Sequence, residues 1–519
     1  HGGGSHDTST RELDASTAIR PRYLGPMQQN RLQGRRAFIA STAIGTLGAL
    51  AARSPASQGP WESALRLDPP GTEAPPVRIA VVGVRGRGWE HVNAFARLPG
   101  VRVTALCDVD SEVLARRAAE CATGDRNRTP FEVATTRDIR TLLSRDDIDA
   151  VSIATPNHTH AMLACWALEA GKHVYVEKPV SQVVDEGARI VEAANLAKRI
   201  CATGTQARSS QAVRAAIAHI HAGGIGPVLC SRGLCYKPRK SIGKVDGPRF
   251  PPESVDYDRW LGPVAYQPLR RAQLHYDWHW DLATGNGDLG NQGIHQMDIA
   301  RWALGWSEYP ESTLSYGARL GYDDDGNSPN TQVVQHRIGD RVLVFEVRGL
   351  PRTKAEQTAE WRMDRLDGID IGNIVYGEHG TVRISNSYTW AGHYDLAGEL
   401  VTEWKGGGDH FANFVDAVRA NDASLLNASI NEGHLSSAYC HLGIVAHLRG
   451  EPSADETIES LDAIEPQFAE AVARMRIHLE ANGIDLRKVR LPLGRCNPRA
   501  LDEAARELCV RRCRIPYVF

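Results

Sequence analysis

Between residues 77 and 108, the sequence reads as a strand, a glycine-rich turn, a helix and a second strand ending in an acid. The β-branched run 77–82 stops at Gly83, a helical segment covers 89–98, and the run 101–107 ends at Asp108. This order is typical of a dinucleotide-binding βαβ unit, in which glycines let the backbone approach a pyrophosphate at the helix N-terminus. We therefore predict a nucleotide-binding Rossmann domain that holds NAD.

The glycine turn departs from the usual spacing at one position. In a G-x-G-x-x-G register Gly83 and Gly88 are the first and third glycines, but Arg85 stands in the second place and Gly86 follows it. We expect Gly86 to absorb the turn instead. The carboxylate of Asp108 would hold a ribose 2′-hydroxyl and repel a 2′-phosphate, which favours NAD over NADP.

Helical and β segments continue to alternate up to residue 203, with strands predicted at 150–154, 173–176 and 200–203. This alternation predicts a doubly wound parallel sheet, whose ligands bind at the carboxyl ends of its strands. Polar motifs follow all three of these strands. They add the following candidate cofactor contacts: Thr155, Pro156, Asn157, His158, Glu177, Lys178 and Gln206.

The pattern changes after residue 203, where β-rich runs follow one another closely and are separated by turn signals. Such spacing predicts a mainly antiparallel sheet. The fold class is therefore α/β plus α+β. We place the Rossmann domain at 77–203, a substrate and oligomerisation domain at 204–450, and a helical tail without recognisable chemistry at 451–519.

The N-terminal region has the pattern of an export signal. Arg35 and Arg36 precede the uncharged, small and apolar stretch 37–52, which is the pattern of a twin-arginine signal. We predict that residues 1–52 form an extension with this signal, that 53–76 form a proline-rich linker, and that the protein is periplasmic or otherwise exported. Because this route carries folded proteins, we expect NAD to be bound before export and held tightly.

Composition and charge exclude several classes of protein. Hydrophobic residues make up 42% of the chain and charged residues 24%, which excludes disorder and a polytopic membrane protein. Lys+Arg 60 against Asp+Glu 62 gives a net charge of −2. We therefore expect neither nucleic acid nor membrane as a partner.

Asp108, the run 155–158 and the run 177–179 at these spacings resemble the glucose–fructose oxidoreductase/inositol dehydrogenase family (Gfo/Idh/MocA). The resemblance covers roughly residues 77–450. It implies a Rossmann domain followed by a large, mostly antiparallel open sheet, which often packs against a second copy to form a dimer or tetramer. It also implies that Lys178 lies near the nicotinamide and the reacting hydroxyl.

The resemblance extends to the segment before a predicted helix at 299–304. His295 matches the histidine of the family, but Asn291 stands where the family has an aspartate. Moving a hydride from a carbinol requires a base for the hydroxyl proton, and we expect His295 to titrate near neutrality and Lys178 to orient the oxygen. Asn291 forms hydrogen bonds but is not a base. Asp288 and Asp298 are alternative acids.

An aromatic and histidine-rich segment covers residues 275–281. Three interpretations stay open: a metal site that combines His275, His279 and His295, an aromatic platform on which a sugar ring stacks, or structural packing. We predict no metal ligand in this segment.

Three functions fit these patterns. The first is an exported NAD-dependent oxidoreductase that acts on a secondary hydroxyl of a sugar, glycoside or cyclitol. The second is an NAD-dependent glycosidase, similar to the α-N-acetylgalactosaminidases of related fold, that oxidises its sugar transiently and eliminates the aglycone. The third is a non-catalytic sugar-binding relative.

Overall fold

The computed structural model describes residues 75–519 except 126–127, 359–360 and 455–459. The predicted twin-arginine signal and nearly all of the predicted linker lie outside the described residues. Within the described part, no helix is both long and apolar enough to cross a membrane.

The first half of the described chain forms a six-stranded sheet in which every neighbouring pair is parallel. Its strands are β1 Val77–Val82, β2 Val101–Cys107, β3 Ala134–Thr136, β4 Ala150–Ile153, β5 His173–Val176 and β6 Cys201–Thr203. The spatial order is β3-β2-β1-β4-β5-β6, so the strand order reverses between β1 and β4. This is the Rossmann order, which confirms the predicted fold class.

Helices cover both faces of this sheet because its strands are apolar on both sides. The side chains of Ile79 and Val81 enter one core, whereas Ala80 and Val82 enter the other. The helices of this half are α1 Arg87–Phe95, α2 Ser111–Thr123, α3 Arg140–Leu143, α4 Asn157–Glu169 and α5 Val184–Ala197. Helix α1 begins earlier than its apolar pattern indicated, so Gly88 lies inside the helix.

The second half forms a ten-stranded sheet with the order β14-β13-β12-β11-β7-β10-β9-β8-β16-β15. Its neighbours are antiparallel except for the parallel pair β7 and β10. This confirms the predicted, mostly antiparallel sheet. The strands are β7 Val228–Tyr236, β8 Ser312–Ala318, β9 Thr331–Ile338, β10 Arg341–Arg348, β11 Ile371–Gly377, β12 Gly380–Ser385, β13 Trp390–Tyr394, β14 Leu400–Lys405, β15 Glu451–Pro452 and β16 Pro492–Cys496.

Helices lie on both faces of the central strands of this second sheet. On β10, Leu343 and Phe345 share a core with α9 (Gly293–Ala303) and α11 (Ile430–Leu448), while Val342 and Val344 pack against α12 (Pro466–Ala481). The predicted dimer or tetramer stays a prediction. The helices are α6 Gln211–His221, α7 Tyr257–Leu261, α8 Gly287–Gly290, α9 Gly293–Ala303, α10 His410–Ala420, α11 Ile430–Leu448, α12 Pro466–Ala481 and α13 Glu503–Cys509.

The segment after residue 450 is more than the helical tail expected from its sequence. Strand β16 pairs with β8, and the two-residue strand β15 pairs with β16 at the edge of the sheet. Short strands that contain proline, glycine and arginine lack the alternating apolar pattern on which sequence prediction depends. Helix α10 lies within the range predicted for the substrate domain, yet its Phe411 and Phe414 enter a core of the first sheet.

Candidate functional site

A cavity of about 400 Å³ lies at the carboxyl ends of β1, β2 and β4. The glycine loop and Asp108 line one part of the cavity, and Lys178, Asn291 and the segment 275–279 line another. Residues from both halves of the described chain therefore surround one continuous space. Lys178, Asn291 and most of the predicted cofactor contacts meet here, whereas His295 is not among the residues that line this cavity.

The glycine loop has the shape that a bound pyrophosphate requires. Gly83 has φ +81°, and a Cβ there would lie 2.8 Å from the carbonyl oxygen of Ala154. A Cβ at Gly88 would lie 1.8 Å from the carbonyl oxygen of Gly83, so only glycine allows α1 to approach this loop. A Cβ at Gly86 would meet no atom within 4 Å. Gly86 therefore leaves open space beside the helix N-terminus, and its expected role in the turn stays a prediction.

Asp108 fixes the loop and also faces the cavity. Its Oδ2 accepts a hydrogen bond from the Val84 amide at 2.8 Å, and its Oδ1 accepts one from the Asp110 amide at 3.0 Å. Burial raises the pKa of this carboxyl to about 6. Each oxygen retains acceptor capacity for a ribose hydroxyl, so the loop and this carboxylate together fit NAD.

Glu177 contacts the start of α1, directly after the glycine turn. Its Oε1 lies 2.7 Å from Arg87 Nε and 3.0 Å from His91 Nε2, and its Oε2 accepts the Lys178 amide at 3.1 Å. Burial opposes its charge, but Arg87 and His91 keep the pKa of Glu177 well below its usual range. Gln206 also accepts a hydrogen bond from Arg87, at 3.2 Å. Glu177 and Gln206, both predicted as cofactor contacts, therefore reach the loop through Arg87, which the sequence motif did not single out.

Lys178 and Asn291 meet as predicted, but through the backbone. The Lys178 ammonium donates to the carbonyl oxygen of Asn291 at 2.8 Å, which leaves the Asn291 amide group out of this contact. Asn291 follows α8 directly, and both residues line the cavity. Burial lowers the pKa of Lys178, in the direction expected for a crowded site.

His295 lies on α9 and is only 8% exposed. Burial, followed by the charge of Lys178, keeps its pKa well below the usual range, so the expectation that it titrates near neutrality is wrong. Within the described part of the chain its Nδ1 makes no hydrogen bond. His295 is therefore a neutral imidazole with a free ring nitrogen close to the charge of Lys178.

The two alternative acids are both engaged in ion pairs. Asp288 binds the guanidinium of Arg239 through both oxygens, each at 2.7 Å. Asp298 is fully buried and binds Arg208 at 2.9–3.0 Å. Neither carboxylate is positioned to replace the aspartate that Asn291 lacks.

The segment 275–281 divides between packing and the cavity wall. His275 lies 3.0 Å from Asp110, and the ring of His279 stacks on Trp278 with centroids 3.6 Å apart. Trp280 is buried and packs against a guanidinium, whereas His275, Tyr276, Trp278 and His279 line the cavity. Among the described residues, no group of three or more His, Cys, Asp or Glu side chains is arranged to hold a metal ion.

The motif at the end of β4 also divides. Thr155, Pro156 and Asn157 line the cavity, while His158 turns inward and lies 2.7 Å from the carbonyl oxygen of Trp260. Burial lowers the pKa of His158 to about 3. His158 is thus a structural residue and not the cofactor contact that we predicted.

One cavity residue comes from the tail that carried no recognised chemistry. Tyr517 lines the cavity, and its hydroxyl donates to Asp258. Arg514 binds the same carboxylate at 2.6 Å, and Trp166 donates to the carbonyl oxygen of Val518. No local pattern marks Tyr517, because its place depends on contacts with residues hundreds of positions away.

Two family models match the chain. Residues 77–205 match the model described as oxidoreductase family, NAD-binding Rossmann fold, and residues 236–318 match its C-terminal alpha/beta domain. These matches confirm the predicted NAD-binding domain and its partner domain.

Curated relatives match over a shorter region. A glycosyl hydrolase family 109 protein of Shewanella sp. (strain W3-18-1) is 39% identical over 125 residues, which are 24% of this chain and 27% of that protein. A glycosyl hydrolase family 109 protein 2 of Shewanella sp. (strain ANA-3) is 36% identical over 173 residues, 32% of this chain and 38% of that protein. The chain therefore matches well under half of the length of these relatives.

Solved structures share the fold over most of their length. Levoglucosan dehydrogenase in complex with NADH is 17% identical, with a TM-score of 0.52 over 71% of this chain and 96% of that one. The WlbA dehydrogenase from Bordetella pertussis, in complex with NADH and UDP-GlcNAcA, is 21% identical, with a TM-score of 0.50 over 70% and 94%. At these identities the likeness concerns the fold alone.

Proposed function

We propose, since this chain belongs to the Gfo/Idh/MocA oxidoreductase family, that it holds NAD in the cavity and oxidises a secondary hydroxyl of a carbohydrate. One observation carries the proposal. A single cavity joins the glycine loop and Asp108 to Lys178, Asn291 and an aromatic wall, which is formed by Tyr276 and Trp278. A sugar placed against that wall would meet the end of the cofactor site that Lys178 occupies.

NAD, when bound, supplies the acceptor for a hydride. The side chains of this protein then have two tasks, to orient the hydroxyl and to take its proton. Lys178 donates a hydrogen bond to the oxygen, and neutral His295 accepts the proton as the C–H bond breaks and the carbonyl forms. The low pKa of His295 makes it a weak base, and it gains basicity if the nearby positive charge is reduced.

Hydrolysis through transient oxidation is a second candidate, favoured by the relatives named glycosyl hydrolase family 109. Oxidation of a ring carbon acidifies the neighbouring C–H, whose proton leaves to a base while the bond to the aglycone breaks. Water adds to the resulting double bond, and the hydride returns to the carbonyl carbon. The net reaction is hydrolysis and needs no outside oxidant.

We also propose that the protein is exported with NAD retained. The support is the twin-arginine pattern at Arg35 and Arg36. Outside the cytoplasm a released dinucleotide would not be replaced, so a site that resets its own cofactor suits this location. The double substitution Arg35→Lys, Arg36→Lys should leave active protein in the cytoplasm, measured by cell fractionation. Efficient export of that variant would exclude a twin-arginine signal.

One experiment separates the functions. Protein purified without added cofactor is examined by mass spectrometry for NAD and then incubated in D₂O with neutral and acidic aryl glycosides and free sugars. Net oxidation gives NADH absorbance that matches the oxidised product. Hydrolysis by elimination gives free aglycone and a sugar with deuterium at the carbon that lost its proton. Neither signal, with NAD bound, would refute both activities and leave a non-catalytic sugar-binding protein.

Two lysine variants provide the control for this experiment. Lys178→Met removes the ammonium in the cavity and should abolish NADH formation and aglycone release while NAD stays bound. Lys488→Met changes a lysine whose side chain is 82% exposed, and it should behave as the wild type. An active Lys178→Met variant would remove Lys178 from the mechanism.

A further inference from the structure

Three cationic side chains lie at the end of the cavity formed by Lys178, Asn291 and Tyr276, which we call the substrate end: Lys178 lines the cavity itself, whereas Lys237 and Arg239 contact residues in or next to its wall. The Lys178 ammonium donates to the carbonyl oxygen of Asn291 at 2.8 Å, and the Lys237 ammonium donates to Gln292 Oε1 at 2.7 Å. Because Asn291 and Gln292 are consecutive, the two ammonium groups are anchored on adjacent residues of one segment. The third cation is Arg239, which lies two residues after Lys237.

These cations act on residues that line the cavity. Arg239 donates to the hydroxyl of Tyr276 at 2.7 Å, and Tyr276 lines the cavity. His279 lines it as well, and its pKa is lowered to about 3 by burial and then by the charges of Lys178, Arg239 and Lys237. All three positive charges therefore lie around the same part of the wall.

The nearby carboxylates are already used by other groups. Asp288 binds Arg239 through both oxygens, and Glu177 is held by Arg87 and His91. Lys178 and Lys237, in contrast, donate only to uncharged oxygens. Within the described part of the chain, neither ammonium forms an ion pair with a carboxylate. The substrate end thus carries a local excess of positive charge.

This excess costs free energy in the protein without substrate, because the Lys178 and Lys237 ammonium groups are partly buried and neither has a carboxylate partner. Burial, and then the charge of Arg239, lower the pKa of Lys237. For Lys178 the lowering by burial, Arg87 and Lys237 is opposed by Glu177 and Asp288. A bound anion would supply the missing counterion.

We infer that the carbohydrate accepted at this site carries a carboxylate, as a uronic acid or another acidic sugar does, and that Lys237 binds this group. Lys178 then remains on the reacting hydroxyl, and Tyr276 and Trp278 face the sugar ring. The inference rests on the proposed function, of which it defines the substrate class. A carboxylate is favoured over a phosphate because it carries a single negative charge. Lys237 offers one positive charge to match it, since the charge of Arg239 is already paired with Asp288.

The test compares binding of matched sugars to the NAD-loaded protein, followed by tryptophan fluorescence. The probes are methyl hexosides and the corresponding methyl hexuronides in gluco, galacto and manno configurations, with hexose 6-phosphates as a third set. We expect at least one hexuronide to bind about 10–100-fold more tightly than its neutral partner, the range expected of a hydrogen bond to a charged group. The preference should weaken as the salt concentration rises.

Variants assign the preference to one residue. Lys237→Met should remove it while binding of the neutral sugar stays the same, and Lys237→Arg should keep most of it. Lys240→Met is the matched control, because this lysine lies three residues further on and is exposed. Equal binding of acidic and neutral sugars by the wild type, tighter binding of the phosphates, or an unchanged preference in Lys237→Met would each overturn the inference.

Binding and turnover are scored separately. If hexuronides bind through Lys237 but no sugar yields NADH or free aglycone, the proposed enzymatic function is refuted and the inferred preference for acidic sugars is supported. If neutral sugars bind and react better than acidic ones, the function stands and the substrate class is wrong.

Discussion

Replacing Gly88 with alanine tests whether helix α1 approaches the glycine loop as closely as described. The new Cβ would lie 1.8 Å from the carbonyl oxygen of Gly83 and 2.8 Å from its carbonyl carbon. To reach even 3.0 Å, the helix and the loop must separate by more than 1 Å, because neither atom belongs to a side chain that could rotate away. Gly88→Ala therefore displaces the backbone that we expect to hold the pyrophosphate.

Two effects of opposite sign set the magnitude. Alanine is favoured over glycine inside a helix by at most about 1 kcal/mol, and Gly88 is only the second residue of α1. Overpacking a tight interior typically costs about 1–3 kcal/mol, and here the clash is with backbone. We expect the free energy of unfolding to fall by about 1–2 kcal/mol and the affinity for NAD to fall about tenfold or more.

Gly86→Ala is the matched control, since it adds the same methyl group two residues earlier where no atom lies within 4 Å. Its stability should stay within about 0.5 kcal/mol of the wild type. Its affinity for NAD should fall, because the methyl group enters space left for the phosphates. Urea unfolding of cofactor-free protein and calorimetric titration with NAD measure the two quantities. Wild-type stability and affinity in Gly88→Ala would refute the close approach.

Further expectations concern the cofactor and the reacting groups. Because burial places the pKa of Asp108 near 6, NAD affinity measured by titration should be constant above about pH 7 and fall below pH 6, by up to tenfold per unit. Asp108→Ala should lose this pH dependence, and its preference for NAD over NADP should become smaller. Unchanged affinities for NAD and NADP would refute the assignment of Asp108 to the ribose hydroxyl. Lys178→Ala or His295→Ala should slow single-turnover reduction of bound NAD by about 10²–10⁴ while NAD stays bound; wild-type rates in both would remove them from catalysis. Asn291→Asp adds a negative charge near Lys178 and should shift the pH–rate profile to higher pH, whereas an unchanged profile would place its side chain away from the reacting groups. Tyr517→Ala should speed NAD release in a chase experiment, Tyr517→Phe should do so less, and equal rates would show that Tyr517 does not restrain the cofactor.

The cofactor half of the site was predictable because it depends on short-range patterns. Asp108 directly follows the buried parallel strand β2 and Lys178 lies two residues after β5, and the carboxyl ends of such strands meet at one edge. The glycine positions follow from the same turn. Residue type and spacing therefore carried most of the information for this end of the cavity.

The remainder depends on burial and on distant contacts. His295 titrates far from its ordinary range because of its depth and the charge of Lys178, neither of which a sequence displays. His158 belongs to a promising motif yet packs against Trp260. Tyr517 and strand β16 reach their places through pairings across most of the chain, and no periodicity predicts those pairings.

Strand β16 is synthesised long after β8, the strand with which it pairs, and this delay sets an order of events during synthesis. Strand β8 pairs with β16, and α12 covers one face of β10, so both wait for chain that is made long afterwards. At 5–20 residues per second, the interval between residues 318 and 492 lasts roughly 9–35 s. During that time β8 presents an unpaired edge, which is a template for association with other nascent chains. Chaperone demand should therefore be highest before residue 492 has been made, and a premature stop codon between β14 and β16 should yield aggregates instead of a smaller folded protein.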